Sequence, residues 1–365
     1  MKQLVTKAIE EHLISDVGVG SFLSGGIDSS IVTLVAGNSL GKSLKTFTVG
    51  FPQKTYDERA IARQVAKKAG SDHSELEISP DQCLDWVKDA VSSLDLPSVD
   101  AINTYIVSRA VKDSGLKVAL SGLGGDEIFG GYPSFKNVPW LQMVDLLPRE
   151  VGQKLISYFP KKLKDKIQGL DSFSVADLTS AHRRFTSVAA LEEMGLSEGI
   201  PFIPPPPSNL DMMGQISWAE IYGYMIPMLL RDSDQMSMAV GLEIRVPFLD
   251  HQLVEAVLGL SQKFKKGSGV KALLVEAFKD ELPTEVYNRP KQGFALPMDE
   301  WIQDPLADFV EEGVLSAADL LSLAEPLQQL NEFKKGKLHW TRIWLWVVLG
   351  HWLARQEKKL SLDLV

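Results

Sequence analysis

Two glycine-rich turns carry most of the chemistry legible in this chain of 365 residues. The first is Ser24-Gly25-Gly26-Ile27-Asp28-Ser29-Ser30, where a short apolar stretch gives way to a helical pattern. Paired glycines let a backbone approach an anion closely. The free N–H groups and the dipole at a helix start then favour phosphate, and Ser29 and Ser30 add hydroxyl donors. An aspartate at an anion site makes chemical sense when it holds a cation, and the Mg²⁺ that accompanies a nucleotide suits a carboxylate. The turn has neither the Gly-Lys-Ser/Thr of a Walker A loop nor the GxGxxG of a dinucleotide fold. A purely structural turn with a helix cap would use the same residue types. The second turn is Ser121-Gly122-Leu123-Gly124-Gly125-Asp126-Glu127, followed by Phe129-Gly130-Gly131-Tyr132. A flexible surface loop would be expected to carry more polar residues than this one does.

These turns need elements to hold them. Residues 17–23, 44–50, 73–78 and 116–120 read as short strands. Helical patterns follow at 28–39, from Asp57 as a cap to a stop at Gly70, and at about 80–93 and 101–114. Strands alternating with helices of this length imply parallel βαβ units. Both turns then fall at carboxyl ends of strands, where open α/β sheets bind ligands, and Asp28 and Asp126 can converge on one Mg²⁺. Beyond Pro139 the strand signal fades. Pro204 to Pro207 must be a loop or an extended segment, and the remainder is mostly helical, with turn signals at 266–269 and 289–297. The division expected is an α/β nucleotide-binding half, 1–140, and a mainly helical half, 141–355, of one synthetase-like domain.

Composition narrows the function classes. Lys and Arg total 38 against 47 Asp and Glu, a net charge of −9. That argues against nucleic-acid binding, which needs a surplus of cations on one face. Cys83 is the single cysteine, which excludes an internal disulfide and a cysteine-rich zinc site. The N-terminus reads as an amphipathic helix rather than a signal peptide. The apolar stretch from Ile343 to Ala354 is too short to span a bilayer and reads as a buried helix. A cytoplasmic location is the expectation, and the eight tryptophans read as core.

The SGGIDSS turn resembles the pyrophosphate loop of the PP-loop ATP pyrophosphatases, shared by NAD, GMP and argininosuccinate synthetases and by tRNA-thiolating enzymes. SGLGGDEIFGGY at 121–132, LLRDSDQMSMAVGLEIRVPFLD at 229–250 and LPTEVYNRPKQGFALP at 282–297 resemble the asparagine synthetase family, in the family's order. The resemblance implies a PP-loop, adenine nucleotide alpha hydrolase-like fold and an ATP-dependent, amide-forming ligase. A carboxylate is adenylated, pyrophosphate leaves, and an amine displaces AMP. It implies that Ser24, Gly25, Gly26, Asp28 and Ser29 hold pyrophosphate. Leu23, Val49, Ser121 and Gly122 would line the AMP moiety, and Asp28 and Asp126 would bind Mg²⁺. Lys271, in GSGVKALL, would reach the α-phosphate; a solvated helix lysine is the commoner fate of lysines, but the motif context favours the catalytic role. Arg245 beside Asp250 is either a buried structural ion pair, the reading slightly preferred, or a clamp for a substrate carboxylate. Arg231, Asp232, Asp234 and Lys291 stay open between the same roles. His73 and His251 read as ordinary polar residues.

The chain departs from the family in two ways that bear on substrate. The resemblance starts at the synthetase domain, so no glutaminase domain is expected in this chain; either nitrogen comes from free ammonia, another amine or a separate glutaminase partner, or the chain is a fragment of a longer protein. Leu123 stands where asparagine synthetases usually carry the Glu of SGEG. Leucine cannot transfer the amine's proton. Aspartate is the leading acid substrate, and a specialised metabolite or peptide closing to a lactam or macrolactam is the alternative. A non-catalytic nucleotide-binding module is the reading of another class. Two smaller departures, Gly18 and Gly125, read as benign.

Overall fold

The computed structural model describes residues 1–50, 58–145, 173–196, 203–265, 269–289 and 296–362, together with parts of 147–170. The expected cap Asp57 lies outside them. A parallel sheet of five strands forms in the order β3-β2-β1-β4-β5. The strands are β1 (Val19–Phe22), β2 (Lys45–Gly50), β3 (Asp72–Glu77), β4 (Val118–Leu120) and β5 (Glu243–Arg245). β1 is central, with Gly20 in register with Lys45 on one side and Ala119 on the other. The chain therefore winds outward from β1 through β2 to β3, then crosses back to place β4 on the opposite side. That reversal opens a crevice at the carboxyl ends of β1 and β4.

Helices α1 (Lys2–Glu11), α2 (Ile27–Leu40) and α3 (Arg59–Ala69) share one hydrophobic cluster with Val19, Leu23, Val118 and Leu120. Helix α2 is apolar nearly all round and buries nine residues, as suits a helix enclosed by neighbours. Gly70 ends α3 in the left-handed conformation (φ 67°), the common glycine stop. Helices α4 (Pro80–Ser93) and α5 (Ala101–Lys112) join Trp301, Trp344 and Trp346 in a second cluster. The C-terminal helix Trp340–Leu362 is longer than the apolar stretch that marks it, and no helix among the described residues is long and apolar enough to cross a membrane. Trp140, at 60% exposure, departs from the expectation that the tryptophans are core.

The architecture is the expected α/β one, a parallel sheet flanked by helices, and the described elements past Pro139 are helical apart from β5. The Pro204–Pro207 run has no regular structure. β5 was not legible, because three residues with two charges carry no apolar run. It draws the sheet's last strand from beyond residue 140.

Candidate active site

The first turn leaves β1 and enters α2 with Gly26 as the extended N-cap residue, so Asp28 sits in the first helical turn. Gly25 adopts φ +75°, where a side chain would be strained, and a Cβ there would lie 3.3 Å from Ile61 and from the Ala62 nitrogen of α3. The hydroxyls of Ser24 and Ser29 lie 3.0 Å apart. The Gly26 N–H donates to Ser24 Oγ and the Ser24 N–H to Ser29 Oγ, each at 3.3 Å. The second turn leaves β4 and enters the short helix α6 (Gly125–Phe129), which carries Asp126 and Glu127.

Lys271 closes the site from far along the chain. Its Nζ donates to Asp28 and lies 2.7 Å from Asp126 Oδ1. The residue is 4% exposed and holds a left-handed backbone (φ 55°), uncommon for a non-glycine residue. Burial disfavours its ammonium, but the two carboxylates outweigh that cost and hold its pKa above the ordinary lysine range. Glycines make the approach possible. A Cβ on Gly131 would sit 1.6 Å from Asp126 Oδ1 and 2.7 Å from Lys271 Cε. One on Gly122 would meet Asp28 Cβ at 2.8 Å. Gly125, read from the sequence as benign, is not: its Cβ would fall 2.4 Å from Asp28 Oδ1, whereas Gly18 has open space around it.

Two aspartates that reach one ammonium are close enough to share one small cation. Their hard oxygen donors suit Mg²⁺, which is bound by one or two carboxylates and completed by substrate phosphates. No cluster of three or more His, Cys, Asp or Glu able to hold a metal occurs among the described residues.

A cavity of about 240 Å³ opens beside the first turn. Leu23, Val49 and Ser121, three of the four residues expected around the AMP moiety, line it, together with Ser24, Glu58, Asn103, Thr104, Leu123 and Ser233. Gly122 is not among the lining residues; it packs against Asp28 instead.

Arg245 is structural: it donates to Glu243 at 2.6 Å and to the carbonyls of His12 and Ile14. Asp250 does not pair with it. Its carboxylate caps the helix His251–Gly259, accepting from Gln252 and Leu253. Asp232 is buried and accepts from Ser98 and from Arg231 at 2.9 Å. Burial raises its pKa, against the pull of Ser98 and Arg231. Asp234 is exposed, and Lys291 lies outside the described residues. His73 bonds Thr46 and His251 is exposed, both ordinary polar roles.

The sequence model described as asparagine synthase matches residues 1–354. The chain belongs to the asparagine synthase family. Among its relatives, asparagine synthetase (glutamine-hydrolyzing) 1 of Bacillus subtilis is 29% identical, over 85% of this chain and 51% of that protein. A putative asparagine synthetase (glutamine-hydrolyzing) of Mycobacterium tuberculosis is 27% identical, over 95% and 56%. Amidase chyE of Penicillium rubens is 30% identical, over 84% and 53%. The chain spans about half the length of the curated relatives it matches.

Two features of this asparagine synthase family member were missed in its sequence. Arg289 reaches back to the first turn, donating to the Gly25 carbonyl at 3.1 Å and to Glu58 at 2.7 Å. It lies within the 282–297 block that carries the resemblance, which was the available signal. Behind α6, the Arg183 guanidinium lies between the rings of Tyr132 (3.8 Å) and Tyr224 (3.9 Å) and donates to buried Glu220. Tyr132 donates to Glu127 at 2.6 Å. Burial pushes the Glu127 carboxyl up to about 7, against the Tyr132 hydrogen bond and with help from the Asp126 charge. Arg183 sits in a stretch with no motif, so nothing local marked it.

Proposed function

We propose that this chain is an ATP-dependent amide-forming ligase, acting within one synthetase domain over 1–355. The reading is carried by the meeting of Asp28, Asp126 and Lys271 at the two glycine-rich turns, whose Ser24, Ser121 and Leu123 line the cavity. The adenine and ribose take the cavity lined by Leu23, Val49 and Ser121, with Gly122 at its edge. The turn of Ser24, Gly25, Gly26 and Ser29 cradles the β- and γ-phosphates. Asp28 and Asp126 would hold the Mg²⁺ that accompanies ATP, which would supply positive charge against the phosphates. A carboxylate oxygen of the acid attacks the α-phosphorus, and the bond to the pyrophosphate oxygen breaks. Lys271, oriented by its two aspartates, supplies positive charge beside the α-phosphoryl oxygens as that charge grows. An amine then attacks the acyl carbon, the bond to AMP breaks, and the nitrogen sheds a proton.

The leading acid is aspartate, with ammonia or nitrogen from a separate glutaminase, in the cytoplasm. A second reading, a specialised metabolite or peptide acid, is favoured by one observation: Leu123 presents hydrocarbon to the cavity where asparagine synthetases usually place a glutamate. The amidase name of one relative points the same way.

Pyrophosphate release with ATP and Mg²⁺ tests both. Omitting aspartate or ammonium in turn, with Asp28→Ala as control, should show aspartate-dependent release that the control loses. Release with other acids but not with aspartate selects the second reading. Formation of ADP and phosphate overturns adenylation, and nucleotide binding without release on any acid marks a non-catalytic module.

A further inference from the structure

Arg289 takes no part in the chemistry above, yet it touches the phosphate turn directly. One of its terminal nitrogens donates both to the Gly25 carbonyl at 3.1 Å and to Glu58 Oε1 at 2.7 Å. A trans peptide is planar, with its C=O and N–H pointing in opposite directions. Holding the Gly25 carbonyl toward Arg289 therefore points the Gly26 N–H the opposite way, where Ser24 Oγ accepts it. Glu58 stands just before α3, is 8% exposed and lines the cavity. Burial raises its pKa against the opposing charge of Arg289. α3 also backs the turn, since the Cβ position of Gly25 faces Ile61 and Ala62. One guanidinium thus ties three pieces together: the turn after β1, the start of α3 and a segment 264 positions away from Gly25.

We infer that Arg289 is a positioning residue for polyphosphate: through the Gly25 carbonyl and Glu58 it fixes the Gly25–Gly26 peptide, and with it the Ser24 hydroxyl that this peptide's N–H engages, at the turn read as the β- and γ-phosphate site, and so sets the preference for ATP over AMP. This rests on the reading of the turn as the phosphate site. A guanidinium that only stabilised the fold would affect both nucleotides alike, whereas one that positions the turn would affect ATP more, because AMP lacks the phosphates the turn cradles.

The test is calorimetric binding of Mg-ATP, inorganic pyrophosphate and AMP to the full chain and to Arg289→Gln, Arg289→Lys and Glu58→Gln. A lost charge-assisted hydrogen bond predicts about a tenfold or greater loss of ATP and pyrophosphate affinity in Arg289→Gln, with AMP held within about twofold. Arg289→Lys should fall between, because an ammonium keeps the charge but not the planar fork. Glu58→Gln should shift the same ratio by less. Equal losses for ATP and AMP, or an unchanged ATP affinity, overturn the inference. If Arg289→Gln fails to fold, the other two variants decide it: an unchanged ATP-to-AMP ratio in both overturns it. Absence of pyrophosphate release with every acid would sink the ligase reading and leave these affinities measurable. A wild-type chain that binds no ATP overturns both.

Discussion

Replacing Lys271 by methionine removes a buried positive charge while keeping most of the side-chain volume. At 2.7 Å from Asp126, and with an effective dielectric near 20, the lost attraction is about 6 kcal/mol for that pair before desolvation is subtracted. Desolvation of the ammonium offsets much of it. What remains is the cost of two carboxylates that have lost the Lys271 ammonium, and truncating one partner of a buried pair typically costs about 3–5 kcal/mol. The Asp28 and Asp126 side chains keep 18% and 20% of their exposure, so water relieves part of the repulsion. The lower end, about 3 kcal/mol, is therefore expected. Urea unfolding of ligand-free protein at pH 7.5 measures it. Adding Asp126→Asn to the Lys271→Met variant should recover about 1 kcal/mol or more, because it removes one of the two like charges. A single-variant loss below about 1 kcal/mol, or a further loss on adding Asp126→Asn, would refute the reasoning.

Gly131→Ala forces a methyl into the Asp126 carboxylate and should weaken Mg-ATP binding by about tenfold or more, the scale of a modest overpacking penalty. Gly18→Ala, which enters open space, should leave binding unchanged; equal effects of the two would show that the glycine contacts at Asp126 do not matter. His351 lies 3.9 Å from the Phe309 ring, nearly parallel to it, and bonds the Phe309 carbonyl at 2.8 Å. Burial lowers its pKa from 6.5, against the hydrogen bond to that carbonyl. The folded state therefore prefers the neutral ring. Its contribution to stability is complete above pH 6.5 and is lost as pH falls below that value toward the folded pKa. Urea midpoints taken on either side of pH 6.5 should fall less steeply on acidification in His351→Gln than in wild type, and identical slopes would rule this out.

What the sequence by itself determined is local. Glycine pairs at strand ends, a helix start after Gly26 and the apolar runs of β1, β2 and β4 are set by backbone freedom and burial within a few residues. They were enough to place Asp28 and Asp126 at neighbouring carboxyl ends. The candidate site was legible because glycine pairs and carboxylates at strand ends are the residue types that a phosphate and its cation would require. Lys271 could be named from its motif, but not its two partners, since 243 positions separate it from Asp28. Gly125 looked harmless in sequence because the atom it makes room for belongs to another turn. β5 gains its place from pairing with β4 rather than from any apolar pattern, and Trp140 stays exposed despite its side chain. The clamp from Arg289 to Gly25, and the approach of the Arg183 guanidinium to the rings of both Tyr132 and Tyr224, join residues whose own neighbours in the chain say nothing of each other. Tertiary structure alone decided these, because a charge is satisfied by whatever the fold brings within about 3 Å, however distant in the chain.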